Sequence, residues 1–222
     1  MGSLPSRLPS RAARIATAVG LIAFIGLAAP VTPAAASCQG SDQNAALELV
    51  KKTTAELFAA VDAYQGKLSE NPAKARELVD EYITPHVDLE GFSRLVLGKH
   101  WRTATPEQQK EFLEQFHQLI LRTYATAVTS YTGTDIQYQP MREESRENFA
   151  TVRTLIPNTG GEGLKVDYRL HCRNDVWKLF DVTIAGVSMV TTYRSTFSAE
   201  INRSGVDGLI KVLEQKNKET GA

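Results

Sequence analysis

The sequence has no excess of either charge and contains little cysteine. Its 222 residues include 25 basic and 25 acidic ones, and no stretch concentrates basic residues as a nucleic-acid-binding face does. The composition therefore argues against nucleic-acid binding. The two cysteines, Cys38 and Cys172, leave three alternatives open: a disulfide bond between them, two unpaired thiols, or lipid attachment at Cys38.

The sequence also lacks an apolar run long enough to form a permanent membrane-spanning helix. A membrane-spanning helix needs about 20 apolar residues, whereas the longest run here extends only from Ile15 to Ala29. Arginines precede this run and small residues follow it, which is the order of a secretory signal peptide. We expect cleavage after Ala36, so that residues 1–36 are a leader and residues 37–222 form a single exported domain.

The chain lacks the motifs of common catalytic and metal sites. Its histidines are His86, His100, His117 and His171. No pair has the i, i+4 spacing and the acidic partner of a helical zinc site, and His117, which falls off the apolar stripe of its helix, should be exposed. The segment from Gly186 begins like a nucleophile elbow, but Val190 replaces the glycine that closes such a turn. We predict no catalytic residue, no metal site and no cofactor.

Helical periodicity dominates the first half of the exported chain. Apolar residues recur every three or four positions in three short segments, over residues 45–66, 72–83 and 88–98. Thr105 and Pro106, with Gln108 three residues after the threonine, form a strong helix-start signal. A long helix should therefore begin there and continue to Gly133.

The second half changes from helical to strand patterns. Residues that are β-branched or aromatic concentrate in four segments, over residues 136–139, 148–156, 164–173 and 176–184. Turn residues join the last three segments as hairpins, and helical spacing returns from Ser188 with an interruption at Gly205. Helices followed by an antiparallel meander indicate an α+β fold. In it, N-terminal helices and one long helix pack on a sheet of about four strands, and C-terminal helices follow.

The helices carry more apolar surface than one modest sheet can cover. Each apolar face by itself is typical of an ordinary core. An apolar pocket between the sheet and the helices is the alternative, because ligand pockets are mostly apolar and commonly lie between structural layers. Periodicity alone does not distinguish a filled core from a lined cavity.

Two segments resemble the MlaC family, the periplasmic phospholipid-binding proteins of the lipid-asymmetry maintenance pathway, also known as toluene-tolerance proteins. The first segment, from Leu95 to Gly133, contains LGKHWRTATPEQ, which is similar to the family's block L-G-x-x-W-R-x-A-T-x-x-Q. The second, from Phe180 to Leu213, contains GVSMVTT and GVDGL, which resemble its G-V-S-M-x-x-T and G-x-D-G-L. With the strands between them, the resemblance covers the chain from about Ala45 to Gln215.

The resemblance implies a curved sheet, similar to that of nuclear-transport-factor-like and cystatin-like domains, packed on helices around a lipid pocket. It also implies a soluble periplasmic carrier that shuttles phospholipid between an outer-membrane lipoprotein and the ring subunit of an inner-membrane ABC transporter. Such transfer would maintain outer-membrane lipid asymmetry, with phospholipid as cargo. A hopanoid-associated branch is similar, so a different lipid class is an alternative.

The candidate lipid-binding residues lie in or beside the segments that carry the resemblance. They are Phe92, Leu95, Val96, Trp101, Phe116, Tyr124, Val128, Tyr131, Val187, Met189 and Val190. Of these, Val187 and Met189 match the G-V-S-M segment directly. A short basic cluster of Arg94, Lys99 and Arg102 is either solvated surface or a contact for an acidic docking partner or a lipid phosphate.

An enzyme that acts on an apolar substrate is a further alternative, because similar sheets support both catalysts and binders. Catalysis would require an ionisable side chain that faces the pocket. Asp167 and His171 have even spacing on one strand and therefore share a face, which makes them the candidates for this role. We expect both to face solvent instead.

Overall fold

The computed structural model describes residues 42–64, 67–129, 136–142, 144, 146–157 and 163–219, and the side chains of these residues except 126–129 and 219. Within them, four α-helices precede an antiparallel sheet and a fifth helix follows it. The helices are α1 (Gln43–Asp62), α2 (Pro72–Tyr82), α3 (Leu89–Leu97), α4 (Pro106–Thr129) and α5 (Met189–Glu219). The strands are β1 (Gln137–Tyr138), β2 (Phe149–Ile156), β3 (Leu164–Arg173), β4 (Val176–Ile184) and β5 (Val187–Ser188). This order confirms the predicted α+β fold.

The five strands form one sheet in chain order, each antiparallel to its neighbours. Four of them lie within the segments that the sequence predicts. Strand β5 has only two residues, too few for an alternating pattern to reveal it. The pairing of β3 with β4 shifts between Arg169 and Leu170, which pair with Asp181 and Leu179 and leave Phe180 as an extra residue.

Local signals explain where the helices begin and bend. At the start of α4, the Gln108 amide donates to Thr105 Oγ1 at 3.2 Å, and the Thr105 amide donates to Gln108 Oε1 at 3.0 Å, which is the predicted capping box. Asp88 caps α3 by accepting a hydrogen bond from the Gly91 amide at 2.8 Å. Gly205 has a φ of 74° and interrupts α5 as predicted, because glycine adopts this left-handed region without steric cost.

Three clusters of buried apolar side chains hold these elements together. One lies between α3, α4 and α5, a second between α1 and the sheet, and a third between α1, α2 and α4. Several half-buried members of these clusters, such as Ile120, Tyr168 and Ile83, surround a space between them. The apolar interior is therefore divided, with a cavity at its centre.

The predicted leader and Cys38 lie outside the described residues, and the leader remains a prediction. Cys172 on β3 is disulfide-bonded. The alternative in which Cys172 is an unpaired thiol is therefore wrong. Among the helices of the described ranges, none is both long and apolar enough to cross a membrane.

Candidate functional site

An apolar cavity of about 230 Å³ lies between the sheet and helices α2, α3 and α4. Strands β3 and β4 supply one wall, from Val166, Tyr168, Leu179, Val182 and Ile184. Side chains on a regular strand reach one face at every second position. The extra residue Phe180 breaks this alternation, so that Leu179 and Val182, three positions apart, both reach the cavity.

The opposite wall of the cavity is helical. Phe116, Ile120 and Tyr124 on α4 recur at four-residue spacing and line the cavity together. Phe92 on α3 packs edge to face on Phe116, with ring centroids 5.4 Å apart. Met189, the first residue of α5, lies where the sheet meets this wall. The four-residue spacing on α4 thus produces a continuous apolar surface opposite the sheet.

The cavity brings together some of the predicted lipid-binding residues. Those in its wall are Phe92, Phe116, Tyr124 and Met189. Val96, Trp101 and Val190 are at most 8% exposed and belong to the filled core between α3, α4 and α5. They lie outside the wall, a distinction that the sequence could not make because one apolar stripe can supply both core and wall residues. Val128 and Tyr131 lie outside the described side chains.

Two other predicted residues are on the surface, outside the cavity wall. Val187 is 60% exposed on β5, which follows a turn in which Ala185 and Gly186 have φ values of 49° and 83°. Val187 pairs with Ile184, which lines the cavity, and cross-strand partners share a face, so Val187 lies at the exposed edge of that wall. Leu95 is 36% exposed and lies outside the wall as well.

His117 is a wall residue that sequence reasoning missed. The prediction that it is exposed is wrong: its side chain is 17% exposed and lines the cavity. Its Nε2 atom lies 3.1 Å from Thr84 Oγ1 and 3.2 Å from Asp80 Oδ1, so it connects α4 to the end of α2 and the turn after it. The sequence signal for this was its position next to Phe116: residue 117 lies at the border of the apolar stripe of α4 and not on the opposite side of the helix.

Tyr168 was also missed as a wall residue. Burial raises the pKa of Tyr168 to about 12, because the interior disfavours a phenolate. Its hydroxyl therefore stays protonated at neutral pH, and it bonds to Thr154. The wall formed by β3 is thus uncharged in spite of its phenol group.

A smaller cavity of about 60 Å³ lies beside the first one, between α1 and the sheet. The two cavities share a partition formed by Ile83, Val87, Tyr168 and Leu179. Val87 forms an isolated parallel bridge with Leu179, and the next amide donates to the Leu179 carbonyl at 2.8 Å. One short segment of backbone along the edge of β4 thus helps to separate two apolar spaces.

The catalytic candidates lie away from the cavity. Asp167 and His171 are outside its wall, and their strand neighbour Tyr168 is the residue that faces inward. The expectation that His171 faces solvent is wrong, since it is 5% exposed and its Nε2 lies 2.9 Å from Asp88 Oδ2. Ser188, at the position of the nucleophile in an elbow, donates a hydrogen bond to Asp181 at 2.7 Å. Among the described residues no group of three or more histidine, cysteine, aspartate or glutamate side chains could hold a metal ion.

The predicted basic cluster is exposed at the end of α3 and in the 3₁₀ turn after it. Arg94, Lys99 and Arg102 all face solvent. Arg94 bonds to Glu90 on its own helix and lies 5.7 Å from the centre of the Trp101 ring. These contacts hold the Arg94 side chain against its own helix and the following turn.

A sequence model of the family described as MlaC protein matches residues 51–215. The chain belongs to the MlaC family. It is 30% identical over 170 residues to the intermembrane phospholipid transport system binding protein MlaC of Haemophilus influenzae, with 75% of this chain and 79% of that protein covered. It is 27% identical over 161 residues to the toluene tolerance protein of Pseudomonas putida, with 72% and 74% covered.

A solved structure supports the same family assignment. The phospholipid-binding protein from Ralstonia solanacearum, in complex with a phospholipid, superimposes with a TM-score of 0.73 and 30% sequence identity. The match covers 79% of this MlaC-family chain and 98% of that protein. The helices and the sheet that enclose the cavity therefore follow the architecture of a phospholipid complex.

Proposed function

We propose that this chain is a soluble periplasmic carrier that binds phospholipid in the cavity between its sheet and helices. The observation that supports this most directly is the apolar wall in a chain whose solved relative is in complex with a phospholipid. Polar groups at the wall are paired within the protein, His117 with Thr84 and Tyr168 with Thr154. A ligand in contact with this wall therefore meets mainly apolar side chains.

Burial of acyl chains supplies the free energy for such a complex. Each buried methylene contributes about 0.8 kcal/mol, so that one acyl chain represents on the order of 10 kcal/mol. The polar head group stays at the surface because its charge is costly to bury. Carrying the lipid involves no bond making or breaking, and we propose no catalytic activity, no cofactor and no metal.

Loading a lipid requires more space than the larger cavity offers. Its volume of about 230 Å³ is below the range of about 300–1,000 Å³ that is typical of ligand pockets. We propose that the shared partition moves when lipid enters, so that the larger and smaller cavities become one. The two acyl chains would then lie on either side of the present position of the segment that contains Val87.

We further propose that the carrier transfers lipid between an outer-membrane lipoprotein and the ring subunit of an inner-membrane ABC transporter, and so maintains outer-membrane lipid asymmetry. The Haemophilus relative is named as the binding protein of an intermembrane transport system, which supports an exchange of this kind. Export would depend on cleavage of the leader after Ala36. Arg94, Lys99 and Arg102 would form the docking surface for acidic partner residues, where exposed charges increase the rate of encounter.

Native mass spectrometry of protein purified from a Gram-negative periplasm tests the carrier function. We expect about one glycerophospholipid per chain, recovered intact by extraction into organic solvent. A protein that is empty after mild purification and takes up no phospholipid from vesicles would contradict the carrier. A bound hopanoid would show that the cargo is not a glycerophospholipid, and released fatty acid would indicate that the protein hydrolyses its lipid.

A further inference from the structure

A second cavity of about 230 Å³ lies on the other face of the sheet. It is lined by Phe149, Ala150, Thr151, Arg169, Leu170 and Phe180 on the strands, together with Glu144 and Arg146 before β2. Thr151 and Arg169 are direct partners across β2 and β3, whereas the adjacent Tyr168 faces the lipid cavity. Successive residues on a strand point to opposite faces, so Thr151 and Arg169 place this outer pocket, as we name it, on the face of the sheet opposite the larger cavity.

Two phenylalanine rings and two guanidinium groups shape the outer pocket. The rings of Phe149 and Phe180 meet edge to face, with centroids 5.8 Å apart. The Arg146 guanidinium lies 5.6 Å from the centre of the Phe149 ring, and that of Arg169 lies 5.0 Å from the centre of the Phe180 ring. A guanidinium stacked on a ring keeps its N–H edge available for a carboxylate.

The arginines around the outer pocket differ in whether a carboxylate lies near them. Arg169 lies 3.2 Å from the buried carboxylate of Asp181, and Arg153 lies 4.0 Å from Glu144. Arg146 is exposed, and within the described residues no carboxylate lies within ion-pair distance of it. Among the described residues, Arg146 is thus a cation at the rim of the pocket without a carboxylate partner, above an aromatic wall.

We propose that the outer pocket binds an acidic segment of a partner protein. A carboxylate of that segment pairs with Arg146, and an adjacent apolar side chain packs on Phe149 and Phe180. A phosphate group could use the guanidinium but would leave the ring walls uncovered, so the pocket fits an acidic peptide better than an anionic head group. None of the residues that line the outer pocket lines the larger cavity, and Leu170 is the residue it shares with the smaller one.

Fluorescence anisotropy with short labelled peptides tests the proposal. The probes are peptides in which phenylalanine, tyrosine or leucine stands between two pairs of glutamates, with matched peptides that carry glutamine instead. We expect the purified protein to bind at least one glutamate peptide and none of the glutamine peptides. Arg146→Glu should weaken that binding by about tenfold or more, because it removes a charge-assisted contact.

Arg142→Glu is the matched control, since Arg142 is exposed on the same segment and does not line the outer pocket. We expect this variant to bind the peptide nearly as well as the wild type, and Thr151→Trp, which fills the pocket without changing charge, to abolish binding. Circular dichroism verifies that each variant is folded. The proposal is overturned if Arg142→Glu weakens binding as much as Arg146→Glu does, or if no peptide binds. It is also overturned if inorganic phosphate or phosphatidylglycerol vesicles compete at concentrations similar to that of the peptide.

Discussion

Asp181 on β4 and Val190 on α5 are joined by a hydrogen bond in which the Val190 amide donates to Asp181 Oδ1 at 3.1 Å. The other carboxylate oxygen accepts from Ser188 Oγ at 2.7 Å and lies 3.2 Å from Arg169 Nη1. A carboxylate at the first turn of a helix satisfies an amide without an intrahelical partner. Met189 lies between Ser188 and Val190, which both bond to Asp181, so Asp181 fixes the position of a residue in the cavity wall.

Asp181→Ala should destabilise the protein. The carboxylate is 1% exposed, and its removal leaves the Val190 amide and the Ser188 hydroxyl without this acceptor. We expect the free energy of unfolding in urea to fall by roughly 3 kcal/mol. Asp167→Ala, on the neighbouring strand and partly exposed, is the control and should have a much smaller effect. Equal losses for both variants would show that the Asp181 contacts contribute little.

Ile120→Glu should empty the lipid cavity while the protein stays folded. Ile120 lines the cavity and is only half-buried, so water can reach the new carboxylate once lipid is absent. Against acyl chains, however, the charge costs several kcal/mol. Lipid phosphorus per protein should fall by about tenfold or more, and the circular dichroism spectrum should be unchanged. Gln118→Glu, exposed on the same helix, should keep its lipid. Global unfolding of Ile120→Glu would instead identify Ile120 as filled core.

Thr53→Leu tests whether the smaller cavity accepts part of the lipid. Thr53 is 7% exposed and lines that cavity, so the larger side chain occupies space there. We expect weaker uptake of two-chain phospholipid and little change for a lysophospholipid, measured by competition in native mass spectrometry. Ala55→Leu, exposed on α1, controls for the added leucine. If both lipids are bound as by the wild type, the partition does not move on loading.

Charge reversal of Arg94, Lys99 and Arg102 to glutamate should slow association with the membrane complexes and leave lipid content unchanged. Exposed charges at an interface act mainly on the association rate, and salt screens them. The rate should fall with ionic strength for the wild type and hardly at all for the triple variant. A control with the same change in net charge reverses exposed lysines elsewhere, namely Lys67, Lys110 and Lys211. Loss of lipid with a normal association rate would show instead that the cluster holds a head-group phosphate.

The stability of the fold should decrease in mild acid. Burial and the nearby Arg173 hold the pKa of His171 below its usual 6.5. The unfolded chain therefore binds this proton more readily than the folded one, and the free energy of unfolding falls as the pH drops below 6.5. His171→Gln should reduce this dependence, measured by urea unfolding at about pH 7.5 and about pH 5.5. An equal pH effect in both proteins would exclude His171 as the source.

The order of helices and strands could be predicted because it depends on local chemistry. The capping box of Thr105 and Gln108 fixes the start of α4 wherever that helix packs, and Gly205 interrupts α5 because of its own backbone freedom. The segments resembling G-V-S-M and L-G-x-x-W-R were sufficient to predict the family, since a motif is a property of the chain itself. These features needed no knowledge of which residues meet in space.

Tertiary structure alone decided which apolar residues line the cavity between the sheet and the helices. Val96 and Phe92 share one helical stripe, yet Val96 fills the core and Phe92 borders the cavity, because the difference depends on the distance to elements far away in sequence. Val187 lies within the family motif, but its strand β5 is at the edge of the sheet, which leaves this side chain 60% exposed beside the wall. His117 faces inward because Thr84 and Asp80 offer it polar partners there. Hydrophobic periodicity indicates that a side chain is turned away from water. Whether that side chain then contacts other protein atoms or borders an enclosed space depends on how the helices and the sheet pack.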